Sequence, residues 1–493
     1  MAMSVLDAIG DTPLIRLTRV TAGIAAEVHL KAEFLNPGGS VKDRAALAMV
    51  EAAEESGELR PGGVIVEGTS GNTGIGLAMI AAQRGYRALV VVPDKSSAEK
   101  VATLRAYGAE VVITVGGVPR EDPRHVSQVA ARLAAETPGG WLAGQYDNPA
   151  NPGAHRATTG PEIWRQTGRR VTHFVAGVGT GGTISGTGAF LRSAGPVTIV
   201  GADPENSVYG GGDGSPYYVE SIGHYVHPAT AEDVWPESYH PHVVDRIERV
   251  GDRESIEMTR RLAREEGVLV GASTGTAVVA ALRVARELGP DGLVVVLAPD
   301  SGRAYLSKYF DDGWLRRNGF PAPVARGSLA AASPGSGAHA APGSAASPGP
   351  LVGDIPISAA VLLPVTARVR DLPAAARVPA RPADQVTGRP VASVALVVLP
   401  RGDRPLTDPA PGDVVGAVPL DALVHAAPSA LLTDVAQPPL PTVGIGESSA
   451  EALGRTPAAA TWVAVLTDGR ITGVITRSAL AATSSRDAAA AVH

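Results

Sequence analysis

Runs of β-branched and other apolar residues alternate with stretches of helical composition along the first 320 residues of this chain. The strand-like runs are 64–66, 87–92, 110–114, 172–176, 198–201 and 293–299. The helical stretches include 44–51, 75–82, 100–107 and 256–265. Consecutive strands separated by a helix pair in parallel, because the helix carries the chain back to the same end of the sheet. The alternation therefore predicts an α/β fold with mostly parallel strands.

Two glycine-rich segments stand between a strand-like run and a helical stretch. Residues 67–74 read EGTSGNTG, and residues 177–186 read GVGTGGTISG. Small residues and hydroxyls at a helix N-terminus present unpaired N–H groups to an anion. The second segment lacks the Lys-Ser or Lys-Thr end of a P-loop and the acidic ribose partner of a dinucleotide site. Both segments therefore predict seats for a carboxylate or a phosphate.

Lys42 is one of five lysines in 493 residues, and it stands in the segment NPGGSVKDR at residues 36–44. The following residues have helical composition, so Lys42 falls at a helix entrance. The positive end of the helix dipole, together with desolvation, disfavours the ammonium and favours the free amine that forms a Schiff base. A solvated lysine is the alternative, but the two anion seats favour the catalytic interpretation. For Asp43 and Arg44, local pairing or helix capping is as open as a direct role at a cofactor.

The strand-like run 293–299 ends in Asp300, Ser301, Gly302 and Arg303. Ligands of α/β sheets lie at the carboxyl ends of the strands. Ser301 is thus placed where it could contact a ring nitrogen.

Four segments resemble those of the fold-type II pyridoxal-phosphate enzymes, in the branch of cysteine synthase and cystathionine β-synthase. They are residues 39–44, 69–74, 179–183 and 299–301. The resemblance covers about residues 4–320 and implies a catalytic core over 1–320, built of two α/β domains with mostly parallel sheets. It further implies a mobile small domain of about residues 40–145 inserted in the large domain, and a homodimer that pairs through the large domain.

The same resemblance implies pyridoxal 5′-phosphate as the cofactor and gives roles to individual residues. Lys42 would carry the Schiff base, Asn72 would hydrogen-bond the 3′ oxygen of the pyridine ring, and Ser301 would face the pyridine nitrogen. The cofactor phosphate would lie among Gly179, Thr180, Gly181, Gly182 and Thr183. The substrate carboxylate would be held by Thr69, Ser70, Thr73 and Gln145. Further candidates for substrate contact are Gly71, Tyr146 and Gly223.

A neutral hydroxyl opposite the pyridine nitrogen leaves the ring a weaker electron sink than an aspartate would, which disfavours transamination. Loss of a β-substituent from a serine-like substrate, followed by attack of a thiol, is not disfavoured in this way. We therefore expect β-replacement on serine or O-acetylserine with homocysteine, giving cystathionine. Cysteine synthesis from O-acetylserine and sulfide is the alternative within this class. A non-catalytic ligand sensor or assembly scaffold is the alternative from another class.

Three features favour cystathionine β-synthase over cysteine synthase. They are Tyr146 beside Gln145, the segment 201–205 with the glycine-rich stretch after it, and the long C-terminal extension. One departure points the other way. Ser221 stands where the family usually has glycine, and His224 and Tyr225 stand where acidic residues are common.

The stretch 327–350 consists almost entirely of Ala, Gly, Ser and Pro and is predicted to be a flexible linker within 321–350. Downstream, residues 394–423 and 462–480 each have the pattern strand, turn, strand, helix. They resemble a tandem pair of the modules named after cystathionine β-synthase, and would form a small α+β regulatory or structural domain over 351–485. Because Ala422 and Ala479 replace the aspartate that commonly holds a ribose there, we expect an appendage for structure or dimer formation rather than an adenosine site.

Composition excludes several other classes of function. The net charge of −6 and the absence of a basic run argue against a nucleic-acid partner. With no cysteine, the chain has no disulfide, no thiolate zinc site and no cysteine-ligated haem. We expect no metal site at His224, His227, His240 and His242. No apolar run approaches the ~20 residues of a membrane span and the first residues do not resemble a signal peptide, so we expect no membrane partner and a cytoplasmic protein.

Overall fold

The computed structural model describes residues 4–69, 71–230, 235–321, 350–371, 391–401, 406–420, 422 and 426–490. The chain forms two compact units, Met1–Phe310 and Asp311–His493. The first unit contains the residues predicted for catalysis, and the second contains the two predicted modules. The predicted linker falls almost entirely outside the described residues, at 322–349.

The first unit alternates strands with helices, which confirms the α/β prediction. Its strands are β1 (Leu14–Arg16), β2 (Glu27–Ala32), β3 (Val64–Gly68), β4 (Arg87–Pro93), β5 (Glu110–Thr114), β6 (Gly140–Leu142), β7 (His173–Gly177), β8 (Thr198–Pro204), β9 (Arg246–Val250) and β10 (Leu293–Ala298). Its helices are α1 (Lys42–Ser56), α2 (Asn72–Arg84), α3 (Ala98–Ala106), α4 (Val126–Glu136), α5 (Ala150–Ala154), α6 (Gly160–Gln166), α7 (Gly182–Ala194), α8 (Asp252–Arg261) and α9 (Ala272–Arg286).

The strands of the first unit form two sheets. A six-stranded sheet has the order β1-β2-β10-β7-β8-β9, and all its neighbours are parallel except the pair β1 and β2. A four-stranded sheet has the order β5-β4-β3-β6 and is parallel throughout. The mostly parallel character that the helix–strand alternation predicts is therefore confirmed.

Burial on both faces explains the apolar character of the central strands. Every residue of β10 is buried, and Val294 and Val296 share a core cluster with Ala277 and Ala281 of α9. In the smaller sheet, Ile65 of β3 packs into a second cluster with side chains of α1 and α2. Parallel sheets covered by helices on both sides require such continuous apolar strands.

The ends of three strands bring the predicted site segments together. Strand β3 ends just before α2, and β7 ends just before the turn into α7. At the end of β10 the carbonyl of Pro299 accepts the N–H of Val41 at 2.7 Å, and Ser40 forms a bridge with Asp300. These contacts hold the start of α1, and Lys42 with it, beside the carboxyl end of the large sheet.

The second unit contains two sheets of the same topology. Its strands are β11 (Ala359–Pro364), β12 (Val391–Val398), β13 (Val414–Pro419), β14 (Thr442–Gly444), β15 (Trp462–Thr467) and β16 (Arg470–Thr476). Its helices are α10 (Asp312–Arg317), α11 (Leu432–Val435), α12 (Ser449–Arg455) and α13 (Arg477–Ala490). In each sheet a parallel strand precedes an antiparallel pair, in the orders β11-β12-β13 and β14-β15-β16.

The pattern strand, turn, strand, helix is present in the second predicted stretch as β15, β16 and α13, with Asp468 and Gly469 in left-handed conformations at the turn. In the first stretch β12 and β13 are present, while residues 421 and 423–425 of the predicted helix lie outside the described residues. Within the described ranges, no helix combines the length and the apolar character that crossing a membrane requires. Nor do the His, Asp and Glu residues described form a group of three or more suited to a metal ion.

Candidate active site

Lys42 is the first residue of α1 and lines a cavity at the carboxyl end of the large sheet. The wall opposite consists of the predicted phosphate segment, through Gly179, Thr180, Gly181 and Thr183. Two segments that lie far apart in the sequence thus face one space. Burial lowers the pKa of the Lys42 amine from 10.5 to about 8, and the negative charge of Asp300 opposes that shift.

The segment 179–183 has the backbone of an anion seat. Gly181 has φ +86°, a conformation that favours glycine, and it leads directly into the N-terminus of α7. A Cβ on Gly179 would lie 2.7 Å from the carbonyl oxygen of Ser221, and one on Gly182 would lie 2.1 Å from Oδ1 of Asn151. Side chains are excluded there, so the N–H groups at the start of α7 stay accessible to an anion.

Two hydroxyls of this seat are oriented by hydrogen bonds to residues outside the segment 179–183. Asn151 donates to Oγ1 of Thr180 at 3.2 Å, and Nε2 of His155 lies 3.2 Å from Oγ1 of Thr183. Burial, reinforced by the charge of Arg44, places the pKa of His155 well below its usual value, so the ring is neutral. The seat therefore presents glycine N–H groups and oriented hydroxyls, a donor set that fits a phosphate group.

A second set of residues meets at the start of α2. Oγ1 of Thr73 donates to Oε1 of Gln145 at 2.5 Å, and the N–H of Gly71 donates to Oγ1 of Thr69 at 3.2 Å. The amide of Gln145 donates in turn to buried Glu67 at 3.1 Å. The structure thus brings together Thr69, Gly71, Thr73 and Gln145, as expected for a carboxylate seat. Ser70, predicted to belong with them, lies outside the described residues.

Glu67 was not singled out from the sequence, although it opens the segment EGTSGNTG. It is fully surrounded, and burial raises the pKa of its carboxyl to about 7, while the N–H of Gly144 and the Gln145 amide act in the opposite direction. Because Glu67 accepts both from Gly144 at 2.8 Å and from Gln145, it fixes the Gln145 amide. Its position at the end of a buried strand is the sequence signal that could have identified it.

Asn72 has a buried partner that the sequence did not reveal. Its Nδ2 donates to Oδ2 of Asp300 at 2.7 Å, and the phenol of Tyr305 donates to the same oxygen at 2.5 Å. Ser301 follows Asp300, and its hydroxyl accepts the N–H of Arg303 at 3.3 Å at the start of a 3₁₀ turn. The strand end thus supplies a carboxylate to Asn72 in addition to the predicted hydroxyl.

Ser221 and Ile222 complete the cavity wall, and the segment they belong to packs on the phosphate seat. Gly223 has φ +84°, and its N–H donates to the carbonyl of Val178 at 2.6 Å. The side chain of Tyr146 is half exposed. Its carbonyl accepts the N–H of Ser238, so the backbone beside Gln145 is fixed.

Asp43 and Arg44, left open by the sequence, have different partners. Oδ2 of Asp43 accepts the N–H of Gly38 at 2.6 Å, which is a local contact, and burial raises the pKa of this carboxyl to about 7. Arg44 instead bonds two distant carboxylates, Glu33 and Glu162, at 2.7 and 2.6 Å. Arg44 thus anchors the start of α1, two residues after Lys42, through ion pairs with carboxylates from other elements. The local pairing considered from the sequence does not include these partners.

A family model described as pyridoxal-phosphate dependent enzyme matches residues 5–300, and the chain belongs to this family. The cofactor of the family is pyridoxal phosphate, and the glycine-rich seat opposite a half-buried amine of lowered pKa fits its phosphate and its aldehyde. The fold class and cofactor expected from the motifs are thereby confirmed.

The named relatives include both cystathionine beta-synthases and cysteine synthases. The chain is 42% identical over 328 residues to cystathionine beta-synthase of Apis mellifera, covering 66% of this chain and 64% of that protein. It is 47% identical over 307 residues to a probable cysteine synthase of Bacillus subtilis, covering 61% of this chain and 95% of that one. The solved structure of an O-acetylserine dependent cystathionine beta-synthase from Helicobacter pylori aligns with a TM-score of 0.58 and 36% identity over 62% of this chain and 98% of that chain.

The lowered pKa of Lys42 gives a pH dependence that can be measured before any turnover. Only the neutral amine attacks an aldehyde, so cofactor-free protein should acquire the visible absorption of bound pyridoxal phosphate faster as the pH rises. The rate should be half-maximal near pH 8 and level off about one pH unit higher. Stopped-flow absorbance from pH 6 to 10.5 measures this rate, with N-acetyl-lysine as the reference amine. A rate that climbs in parallel with the reference up to pH 10 would contradict the account.

Proposed function

We propose that this protein catalyses β-replacement on a serine-type amino acid, with serine or O-acetylserine as donor and homocysteine as the thiol that yields cystathionine. The observation that carries the proposal is the cavity shared by Lys42 and the phosphate seat at 179–183. A non-catalytic scaffold would have no use for a half-buried amine facing an anion seat.

The bound cofactor supplies an electron sink that makes the substrate α-proton acidic. Lys42 accepts this proton at Nζ, because a pKa of about 8 leaves a useful fraction of the amine neutral near neutral pH. Thr69, Thr73 and Gln145 orient the substrate carboxylate. The bond from Thr73 to Gln145 and the bond from the Gly71 N–H to Thr69 fix these side chains before the substrate binds. Fixed donors cost little reorganisation, so the seat favours one orientation of the α-carbon over Lys42.

Cysteine synthesis from O-acetylserine and sulfide is a second candidate, which the Bacillus subtilis relative supports through its higher identity over nearly its whole length. The cystathionine proposal is supported by the Apis mellifera relative and the Helicobacter pylori structure. The name of the latter also favours O-acetylserine as a donor. Acetate leaves without a proton, whereas the hydroxide of serine needs a general acid.

A panel of substrates separates the candidates. Serine and O-acetylserine are each offered with homocysteine and with sulfide to the holoenzyme, and the products are identified by mass. We expect cystathionine with O-acetylserine and homocysteine, at a rate at least tenfold above the same reaction catalysed by free pyridoxal phosphate. Formation of cysteine alone, with no cystathionine from either donor, would overturn the first proposal in favour of the second.

For the remaining properties we propose a cytoplasmic homodimer. The second unit, with its two sheets of equal topology, is proposed to be a tandem pair of modules with a structural role. At the two positions where a ribose-binding aspartate is common in such modules, the chain has Ala422 and Ala479, so we propose that adenosine compounds are not its ligands. Light scattering gives the mass of the assembly, and titration with ATP followed by calorimetry tests the ligand.

A further inference from the structure

Ser221 adopts a backbone conformation that serine rarely takes. Its φ is +75°, in the left-handed region, where a side chain crowds the backbone and glycine is strongly preferred. Such a conformation is strained for a residue with a side chain and persists where the surrounding structure imposes it, often at a functional site. Ser221 lies in the wall of the cofactor cavity rather than in a surface turn. The strain therefore calls for a function of the side chain that glycine lacks.

The Ser221 hydroxyl ends a chain of buried hydrogen bonds. Its Oγ lies 3.2 Å from Oη of Tyr305, and Tyr305 donates to Asp300 at 2.5 Å. A phenol has one proton, so while Tyr305 donates to Asp300 the first bond is donated by Ser221. Asp300 accepts from Asn72 at the same oxygen, at 2.7 Å. The order is thus Ser221 to Tyr305 to Asp300, with Asn72 donating from the far side.

Burial gives this chain its strength. Tyr305 and Asp300 are each 1% exposed, and in such a low dielectric each bond polarises the next. The second oxygen of Asp300 has no hydrogen-bond partner among the described residues, so the bonds at Oδ2 are what orient the carboxylate. Losing the donor at the end of the chain would free the Tyr305 phenol to turn and so loosen Asp300.

The backbone of Ser221 touches the other end of the cofactor site. Its carbonyl oxygen lies so close to Gly179 that a Cβ there would be 2.7 Å away. Ser221 thus contacts the phosphate seat through its backbone, and it is linked to the Asn72 amide through the hydrogen bonds of Tyr305 and Asp300.

We propose that Ser221 is a positioning residue, whose hydroxyl orients the Asn72 amide toward the cofactor through Tyr305 and Asp300 and is retained at the expense of backbone strain. A flip of the Asn72 amide would replace the N–H that donates to Asp300 with the amide oxygen. Both oxygens would then be acceptors, so the flip is disfavoured. The second N–H of the amide therefore keeps one direction. The proposal rests on the proposed function in one respect, namely that Asn72 meets the bound cofactor.

The test uses full-length holoenzyme and the variants Ser221→Ala, Ser221→Gly, Tyr305→Phe and the double variant Ser221→Ala/Tyr305→Phe. Arg169→Gly is the matched control, because Arg169 also has a left-handed φ, of +64°, but is an exposed residue. The measurements are the thermal unfolding midpoint, the visible band of bound pyridoxal phosphate with its pH titration, and kcat and KM for the donor.

We expect Ser221→Ala to lower the unfolding midpoint, since it keeps the strain and loses the bond, and Arg169→Gly to raise it. Ser221→Gly should raise the midpoint while lowering kcat about fivefold, with KM changed less than twofold. Ser221→Ala and Tyr305→Phe should shift the visible band in the same direction, and the double variant should shift it no further.

Additive shifts in the double variant, or an unchanged band and kcat in Ser221→Gly, would overturn the proposal. A protein that takes up no cofactor would instead contradict the proposed function. In that case the unfolding midpoints alone test the bond between Ser221 and Tyr305. The decrease of the midpoint in the double variant should then be smaller than the sum of the decreases in the two single variants.

Discussion

Replacing Lys42 with alanine is expected to abolish the visible absorption of the bound cofactor and to lower β-replacement by at least about 10³-fold. The variant loses the only amine that faces the phosphate seat among the residues lining the cavity. It also loses the group proposed to move the α-proton, so binding and proton transfer fail together. Absorbance spectra and initial rates with O-acetylserine and homocysteine measure both losses.

Lys42→Arg is the informative control, because it keeps a positive charge at the start of α1 but cannot form an imine. It should be as colourless as the alanine variant while retaining the fold by circular dichroism. Should Lys42→Ala still bind the cofactor with its visible band and turn over at a rate near that of the parent, another amine would have to be the catalytic one.

The largest expected effect on stability comes from Arg44. Replacing it with alanine should lower the free energy of unfolding by about 3–5 kcal/mol, because it leaves the buried carboxylates of Glu33 and Glu162 without their main partner. The Arg44 side chain is 2% exposed and that of Glu33 is 0% exposed, so water cannot replace the lost contacts. Urea unfolding measures the difference, taken from the transition of the first unit.

Arg87→Ala is the matched control for charge removal, since Arg87 pairs with Glu110 where the side chains are 61% and 56% exposed. An exposed pair contributes at most about 1 kcal/mol, so this variant should unfold close to the parent protein. Equal losses for Arg44→Ala and Arg87→Ala would show that the buried network does not stabilise the first unit as described.

The same network gives an acid dependence with a defined sign. Burial alone would raise the pKa of Glu162, but hydrogen bonds and charge from Arg44 and Lys31 outweigh it and lower the pKa from 4.5 to about 2. A carboxyl with a depressed pKa stabilises the fold above its unfolded pKa of 4.5, and that stability is lost as the pH falls toward 2. Arg44→Ala should therefore lose less stability than the parent between pH 4.5 and 2.

The site residues that sequence reasoning proposed lie in short local segments. Lys42 and the segment 179–183 could be predicted because a helix entrance and a run of glycines determine the local backbone, which is also what binds an anion. The parallel sheets followed from the alternation of strands and helices. The two site signals each lie within about ten residues of sequence, and the alternation is a sum of such local patterns.

The parts that sequence reasoning missed depend on contacts between distant residues. Arg44 pairs with Glu162, 118 residues away, and Asn72 with Asp300, 228 residues away. No local pattern specifies such partners, because they are chosen by how helices and strand ends pack. The left-handed φ of Ser221 was also invisible, since the sequence showed only a serine where glycine is usual.

Reduction of the holoenzyme with borohydride tests the central claim most directly. The treatment makes the bond between the cofactor and its lysine permanent, and digestion followed by mass spectrometry then locates the modified residue. The account predicts that the phosphopyridoxyl group is on the peptide that contains Lys42. Its recovery on Lys31, Lys95, Lys100 or Lys308, or its complete absence from the protein, would contradict the account.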